Sequence, residues 1–333
     1  MNTLKRNQIG QYITSLLFAT TITLLCSLVF AAAPFERREV TVNSQGLKCA
    51  AFYYVPKNMK TDEKRPAIVM AHGWSGVKEH LESFASKFAE AGLVVLLFDY
   101  RYLGGSEGEP RGQLIYHEQH QDYRNALTWV SLQKEVDPER IGIWGTSFAG
   151  GHVLHLAAFD KRVKAVVSQM PVTNIWQAYY EPEKPEALAA GFAFYAKART
   201  ERYATGKTAY VPVVAPEGEF ASIPGKEAYE YVQKNLSRHR TWRNEVTVES
   251  LESSMEYDPT ANIHLISPTP LLMVVASDDT VTPTELEKKA FERAKEPKKL
   301  VVVKGRHFDL YDGSGSGQAA TAAAEWFQQH LKP

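Results

Sequence analysis

Ile141-Gly142-Ile143-Trp144-Gly145-Thr146-Ser147-Phe148-Ala149-Gly150-Gly151 is the stretch on which the reading of this chain turns. A short apolar run ends in Gly-x-Ser, passes through small residues, and continues as an apolar, helix-like segment through His155 and Ala158. That order describes a tight strand-to-helix turn that lifts one serine above the edge of a sheet, a nucleophile elbow. Such a serine sits at positive φ, which a residue with a Cβ adopts only where the surroundings force it. Small residues two positions to either side let strand and helix approach. Gly145 meets this demand, and Ala149 adds one methyl at the second position. The start of the helix also offers backbone N–H groups and the positive end of its dipole to a developing oxyanion. A serine in this place also serves as a plain N-cap, so the rest of the chain has to decide.

The 333 residues suffice for one large α/β domain with an insertion or for two domains. Lys plus Arg and Asp plus Glu number 38 each, with no block of five or six like charges, which argues against nucleic acid as a partner. Lys5 and Arg6 precede an apolar segment from about Ile13 to Phe30 and then Ala31-Ala32-Ala33. A positive start, an apolar stretch and a small-residue site predict a secretory signal peptide over residues 1–33. Export to the periplasm or medium is expected, with no stable membrane association after cleavage. The alternative is an uncleaved N-terminal anchor. Cleavage removes Cys26 and leaves Cys49 without an intramolecular disulfide partner; its alternation with Leu47 and Ala51 predicts a buried thiol on a strand.

From residue 34 the pattern is strand and helix in turn. Arg38–Val42 and Leu47–Val55 flank a Ser44-Gln45-Gly46 turn and read as a hairpin. Pro66–Ala71, Leu93–Phe98, Val163–Val167, Leu271–Val275 and Leu300–Val303 are short apolar runs suited to strands buried on both faces. Glu79–Ala91, Gln119–Leu132 and Gln318–Leu331 carry helical spacing. The alternation predicts a mostly parallel sheet with helices on both faces. Residues 168–266 break the rhythm and are too long for a simple connection. Their density of aromatics (Trp176, Tyr179, Tyr180, Phe192, Phe194, Tyr195, Tyr203, Tyr210, Tyr229, Tyr231, Trp242) predicts a mainly helical cap, irregular at Pro212–Gly225. Most of these rings are expected to form the cap's own core, a few to face a pocket. His117-Glu118-Gln119-His120 falls one residue short of a zinc-protease helix motif, Gly313–Gly317 lacks the lysine of a phosphate loop, and His152 and His155 read as structural. No metal or cofactor is implied.

A serine nucleophile needs a base, and the base an acid to orient it. In sheets of this type they follow in the order Ser, Asp or Glu, His, each after a strand. Ser277-Asp278-Asp279-Thr280-Val281-Thr282-Pro283 follows Leu271–Val275, and Gly305-Arg306-His307 follows Leu300–Val303. His307 is therefore the candidate base, with Asp278 and Asp279 both available as acid. The same rule puts oxyanion donors on the amide after the nucleophile, Phe148, and in the His72-Gly73-Trp74 loop, where Trp74 is the candidate.

Taken together, His72-Gly-Trp-Ser-Gly-Val-Lys-Glu79, Phe98-Asp-Tyr-Arg101 with Gly105-Ser-Glu-Gly108, Trp144–Gly151, Asp279-x-x-x-Pro283 and Gly305–Tyr311 resemble the α/β-hydrolase superfamily over nearly all of residues 37–331. Within it the chain is similar to single-domain relatives of Xaa-Pro dipeptidyl-peptidase-like and polyketide-transferase-like hydrolases. The resemblance implies an eight-stranded, mostly parallel α/β-hydrolase sheet in one domain, residues 34–333, with the cap inserted. It also selects Asp279, four residues before Pro283, as the acid. It implies a serine hydrolase acting on a small-molecule acyl substrate through Ser147, His307 and Asp279, with the backbone of Trp74 and Phe148 holding the oxyanion. An ester with an apolar part is the expected substrate. Peptidase, thioesterase or acyltransferase chemistry of the same fold, and a binding protein without turnover, are the alternatives. Ala149 and the lack of a Gly-rich oxyanion loop are the departures; the second argues against a hormone-sensitive-lipase type of site.

Overall fold

The computed structural model describes residues 33–236 and 239–332. The predicted signal peptide lies outside the described residues, except for Ala33. No described helix is long and apolar enough to cross a membrane.

The chain enters as an antiparallel hairpin, β1 (Phe35–Ser44) and β2 (Leu47–Pro56), joined by Gln45 and Gly46 at φ 54° and 91°. Two successive positive φ values make the two-residue turn whose twist matches that of the strands. Next come β3 (Arg65–Ala71), helix α1 (Glu82–Glu90), β4 (Val94–Phe98), α2 (Tyr116–Ser131), β5 (Val136–Thr146), α3 (Phe148–Phe159) and β6 (Val163–Gln169). The predicted helix over Glu79–Ala91 is divided: Lys78–Leu81 forms a 3₁₀ turn and α1 begins only at Glu82. The Lys78 N–H donates to Asp99 Oδ1 at 2.6 Å and its ammonium to Oδ2 at 2.9 Å, which ties this turn to the end of β4.

Between β6 and β9 (Leu271–Ala276) lie a π-helical turn at Trp176–Tyr180, α4 (Pro185–Thr205), the two-stranded pair β7 (Tyr210–Val211) and β8 (Val246–Thr247), α5 (Lys226–Asn235) and α6 (Val248–Ser254). Then follow α7 (Thr284–Arg293), β10 (Lys298–Val303) and α8 (Ser316–His330). Among the described residues the main sheet has eight strands in the order β1-β2-β4-β3-β5-β6-β9-β10. From β4 to β10 every neighbouring pair is parallel, while β2 meets β4 antiparallel.

Side chains alternate across the strands and so divide the core in two. Val69, Val94 and Ile143 face α2 and α3 with Leu127, Val153 and Leu154. Ile68, Met70 and Trp144 face α1 and α8 with Phe84, Phe88 and Phe327. Strands β3, β4 and β9 are hidden almost end to end, which is why they read as unbroken apolar runs. Cys49 is fully buried on β2, and its thiol is pushed well up by desolvation. The parallel strands place the ends of β3, β5, β9 and β10 on one edge of the sheet. The sequence-predicted site residues follow those ends.

Candidate active site

Ser147 links β5 to α3 at φ 56° and ψ −118°. Its N–H donates to the Gln169 carbonyl at 2.9 Å, and its own carbonyl accepts from Val172 at 3.0 Å and Gly151 at 3.2 Å. These bonds hold the unfavourable backbone against the end of β6. Gly145 is required by contact: a Cβ there would stand 2.2 Å from the carbonyl oxygen of Ala149. The methyl of Ala149 itself is fully buried, so the second small position tolerates it.

Asp279 and His307 follow β9 and β10. Asp279 Oδ2 lies 2.7 Å from His307 Nδ1, and both side chains are almost wholly buried. Oδ1 of Asp279 accepts the N–H groups of Val281 and Thr282 at 2.8 Å each. The Thr282 hydroxyl is 3.0 Å from Asp279 Oδ2 and 3.2 Å from His307 Nδ1. A carboxylate bonded to Nδ1 favours the tautomer with its proton there, leaving Nε2 to accept from a partner. Asp278 is exposed and takes the Ser277 hydroxyl at 2.6 Å. Thr282 was not singled out in sequence; its place three residues after the acid, where its N–H can close an Asx-type turn, is the signal for it.

Ser147, Trp74 and Phe148 line one cavity of about 470 Å³. The Trp74 ring stands edge-on to Phe148 at 5.0 Å, and its indole N–H donates to the Ser222 hydroxyl at 3.0 Å. The outer wall comes from residues 172–255, including Tyr180, Leu188, Phe192, Phe220 and Met255, and Glu183 is the one carboxylate in the lining among the described residues. The expectation that most rings of this segment form a core of their own is corrected. Among the eleven aromatics named above, Tyr195 alone is buried, and Trp176, Phe192, Phe194, Tyr203 and Tyr210 are exposed. Helix α4 turns Leu188, Phe192 and Tyr195 toward the cavity, and its rings meet mainly other rings of the same segment, Phe192 on Trp176 and Phe194 on Phe220, rather than a closed layer.

His120 and His152 sit beneath Phe148. Tyr257 Oη lies 2.5 Å from His152 Nδ1 and 3.1 Å from His120 Nε2, and Gln119 Oε1 lies 2.8 Å from His152 Nε2. His155 stacks on His120 at 4.3 Å. Desolvation lowers all three, His155 to about 4, so they are neutral near pH 7. Glu287 on α7 is a further buried acid beside Asp279, pushed well above the usual carboxylate range by desolvation and then by the Asp279 charge.

Residues 45–309 match the family described as X-Pro dipeptidyl-peptidase (S15 family). The quorum-quenching protein AidA of Acinetobacter baumannii is 34% identical over 249 residues, covering 74% of this chain and 80% of that protein. The thiohydrolase aneE of Aspergillus aculeatus is 33% identical over 276 residues, covering 80% and 86%. The polyketide transferase grgF of a Penicillium species is 32% identical over 255 residues, covering 75% and 84%. The crystal structure of the α/β-hydrolase GrgF superposes with a TM-score of 0.76 and 27% identity, over 89% of this chain and 99% of that one. The chain is an α/β-hydrolase of hydrolase or acyltransferase type, and it belongs to the X-Pro dipeptidyl-peptidase (S15) family.

Proposed function

We propose that the protein is a serine hydrolase that cleaves a carboxylic ester with an apolar acyl part through an acyl-enzyme. Ser147 Oγ attacks the acyl carbon while His307 Nε2 takes its proton and returns it to the leaving oxygen. Asp279 holds the imidazole in its tautomer and stabilises the imidazolium. The amides of Phe148 and Trp74 receive the oxyanion, one such donor contributing about 3 kcal/mol to the transition state. Water then enters by the same path and releases the acid. The observation that carries this reading is the His307–Asp279 pair at 2.7 Å on the loops beside a serine held at φ 56°.

The mostly apolar lining of the 470 Å³ cavity favours an acyl chain over a peptide, although Glu183, the one carboxylate in it among the described residues, offers a partner to an N-terminal amine. Thioesters are the second reading, favoured by the relative named a thiohydrolase. Rates on matched p-nitrophenyl esters, acyl thioesters and aminoacyl-prolyl amides test the order. Esters first, with Ser147→Ala inactive on all, is expected; prolyl amides first would replace the ester reading with a peptidase. Residues 1–33 are proposed to export the chain, which N-terminal sequencing of the mature protein tests.

A further inference from the structure

Two cavities meet at Ser147. The large one carries the acyl chain in the reading above, on which this inference rests. The second is a chamber of about 40 Å³ lined by Gly73, His307 and Tyr311, with Val232 of α5 among its walls. Trp74, Ser147 and Ile223 belong to the lining of both, so the serine stands between them. A base that serves both half-reactions meets the leaving heteroatom and the attacking water at the same place, beside Nε2. His307 lines the small chamber and not the large one. One water needs about 10–15 Å³ of such space, so the chamber is of the right scale for water or a slender leaving group.

Tyr311 follows the 3₁₀ turn that carries His307, and its ring lies 5.8 Å from the imidazole. A Cβ on Gly73 would be 3.2 Å from the Tyr311 hydroxyl and 2.8 Å from Ser147 Cβ, so the phenol and the nucleophile's side chain flank the same glycine. Burial pushes this phenol up to about 12, so it stays a proton donor.

We propose that Tyr311 is a further catalytic residue, its hydroxyl hydrogen-bonding the leaving heteroatom during acylation and the attacking water during deacylation. In acylation the Oγ–acyl bond forms, the acyl–heteroatom bond breaks, and the serine proton passes through His307 to the heteroatom. In deacylation the water oxygen bonds to the acyl carbon and its proton passes through His307 to Oγ as the ester bond to Ser147 breaks. Tyr311 keeps its own proton in both.

The test is Tyr311→Phe, read by fluorophosphonate labelling, by stopped-flow with p-nitrophenyl butyrate, and by intact mass. Fluoride and nitrophenolate leave with little help, so labelling and the acylation burst should stay within about twofold of wild type. Deacylation should slow about tenfold, the loss of one hydrogen bond to a reacting group, and acyl-enzyme should accumulate. Ethyl butyrate, a poorer leaving group, should lose acylation as well. Val232→Phe, which narrows the chamber from α5, should also slow deacylation while Ser147 still labels. Wild-type deacylation in Tyr311→Phe overturns the proposal, and so does equal loss of labelling, burst and deacylation, the mark of a structural prop. Either result leaves wild-type labelling of Ser147, and with it the underlying reading, intact; failure of wild type to label at Ser147 removes both.

Discussion

Replacing Gly73 by alanine places a methyl 2.8 Å from Ser147 Cβ and 3.2 Å from both the Thr146 carbonyl oxygen and the Tyr311 hydroxyl. Two of these three neighbours are anchored: Ser147 by its bonds to β6 and α3, Thr146 by the sheet. Raising 2.8 Å to the 3.4 Å at which ordinary contact begins takes about 0.6 Å of displacement. A misplacement of about 1 Å at reacting groups costs on the order of a hundredfold in rate. Gly73→Ala should therefore lose about tenfold to a hundredfold in kcat/KM, about 1.4–2.7 kcal/mol of barrier. The assay is p-nitrophenyl butyrate hydrolysis beside the fluorophosphonate labelling rate and the thermal midpoint. Gly317→Ala is the control, because a Cβ there has nothing within 4 Å. The labelling rate should fall with kcat/KM in Gly73→Ala and stay unchanged in the control. A Gly73→Ala enzyme within twofold of wild type, correctly folded, would refute the placement of this loop against the nucleophile.

Asp279→Asn should cripple kcat, by up to the roughly ten-thousandfold known for the corresponding change in serine proteases, whereas Asp278→Asn, at an exposed carboxylate, should cost under about threefold; the reverse order assigns the acid wrongly. The buried histidines His72, His120 and His152 and the half-buried His80 and His155 are all lowered, so below about pH 6.5 the unfolded chain binds more protons than the folded one. Stability should fall as pH drops from 6.5 through 4, and thermal midpoints at pH 7 and 5 check it, a flat profile counting against neutral burial. Glu287 runs the other way: held protonated in the fold, it costs stability above about pH 4.5, so Glu287→Gln should raise the midpoint at pH 7. Leu188→Ala and Phe192→Ala widen the apolar wall and should move the preferred acyl chain toward greater length, with the best rate within about threefold; unchanged chain-length preference would remove α4 from the pocket.

Much of the core was legible because its strands carry one signal each. Ile141–Thr146 and Leu271–Ala276 are buried on both faces and read as apolar runs, and Gly145 and Ser147 mark the turn that only a close approach explains. The pairing of Asp279 with His307 needed more than the residues, since Asp278 offers the same carboxylate; backbone donors from Val281 and Thr282 distinguish the two, and amides leave no trace in a sequence. Tyr311 and Glu287 were not singled out in the sequence although each lies just after a site loop, four residues past His307 and eight past Asp279, because the burial that turns each side chain back toward that loop is set by packing that a sequence does not print. Residues 168–266 misled for a related reason. Aromatic density signals burial in a packed layer, but Phe192 and Phe220 line a cavity and stay exposed, a state with the same composition.

In the proposed mechanism Ser147 alone forms the covalent bond to substrate. Incubating the folded protein with a fluorophosphonate and mapping the modified peptide by mass spectrometry tests it directly. A single adduct on Ser147 is expected, absent from Ser147→Ala and slowed at least a hundredfold in His307→Ala. An adduct on another residue, or none on a protein that still turns over esters, would contradict it.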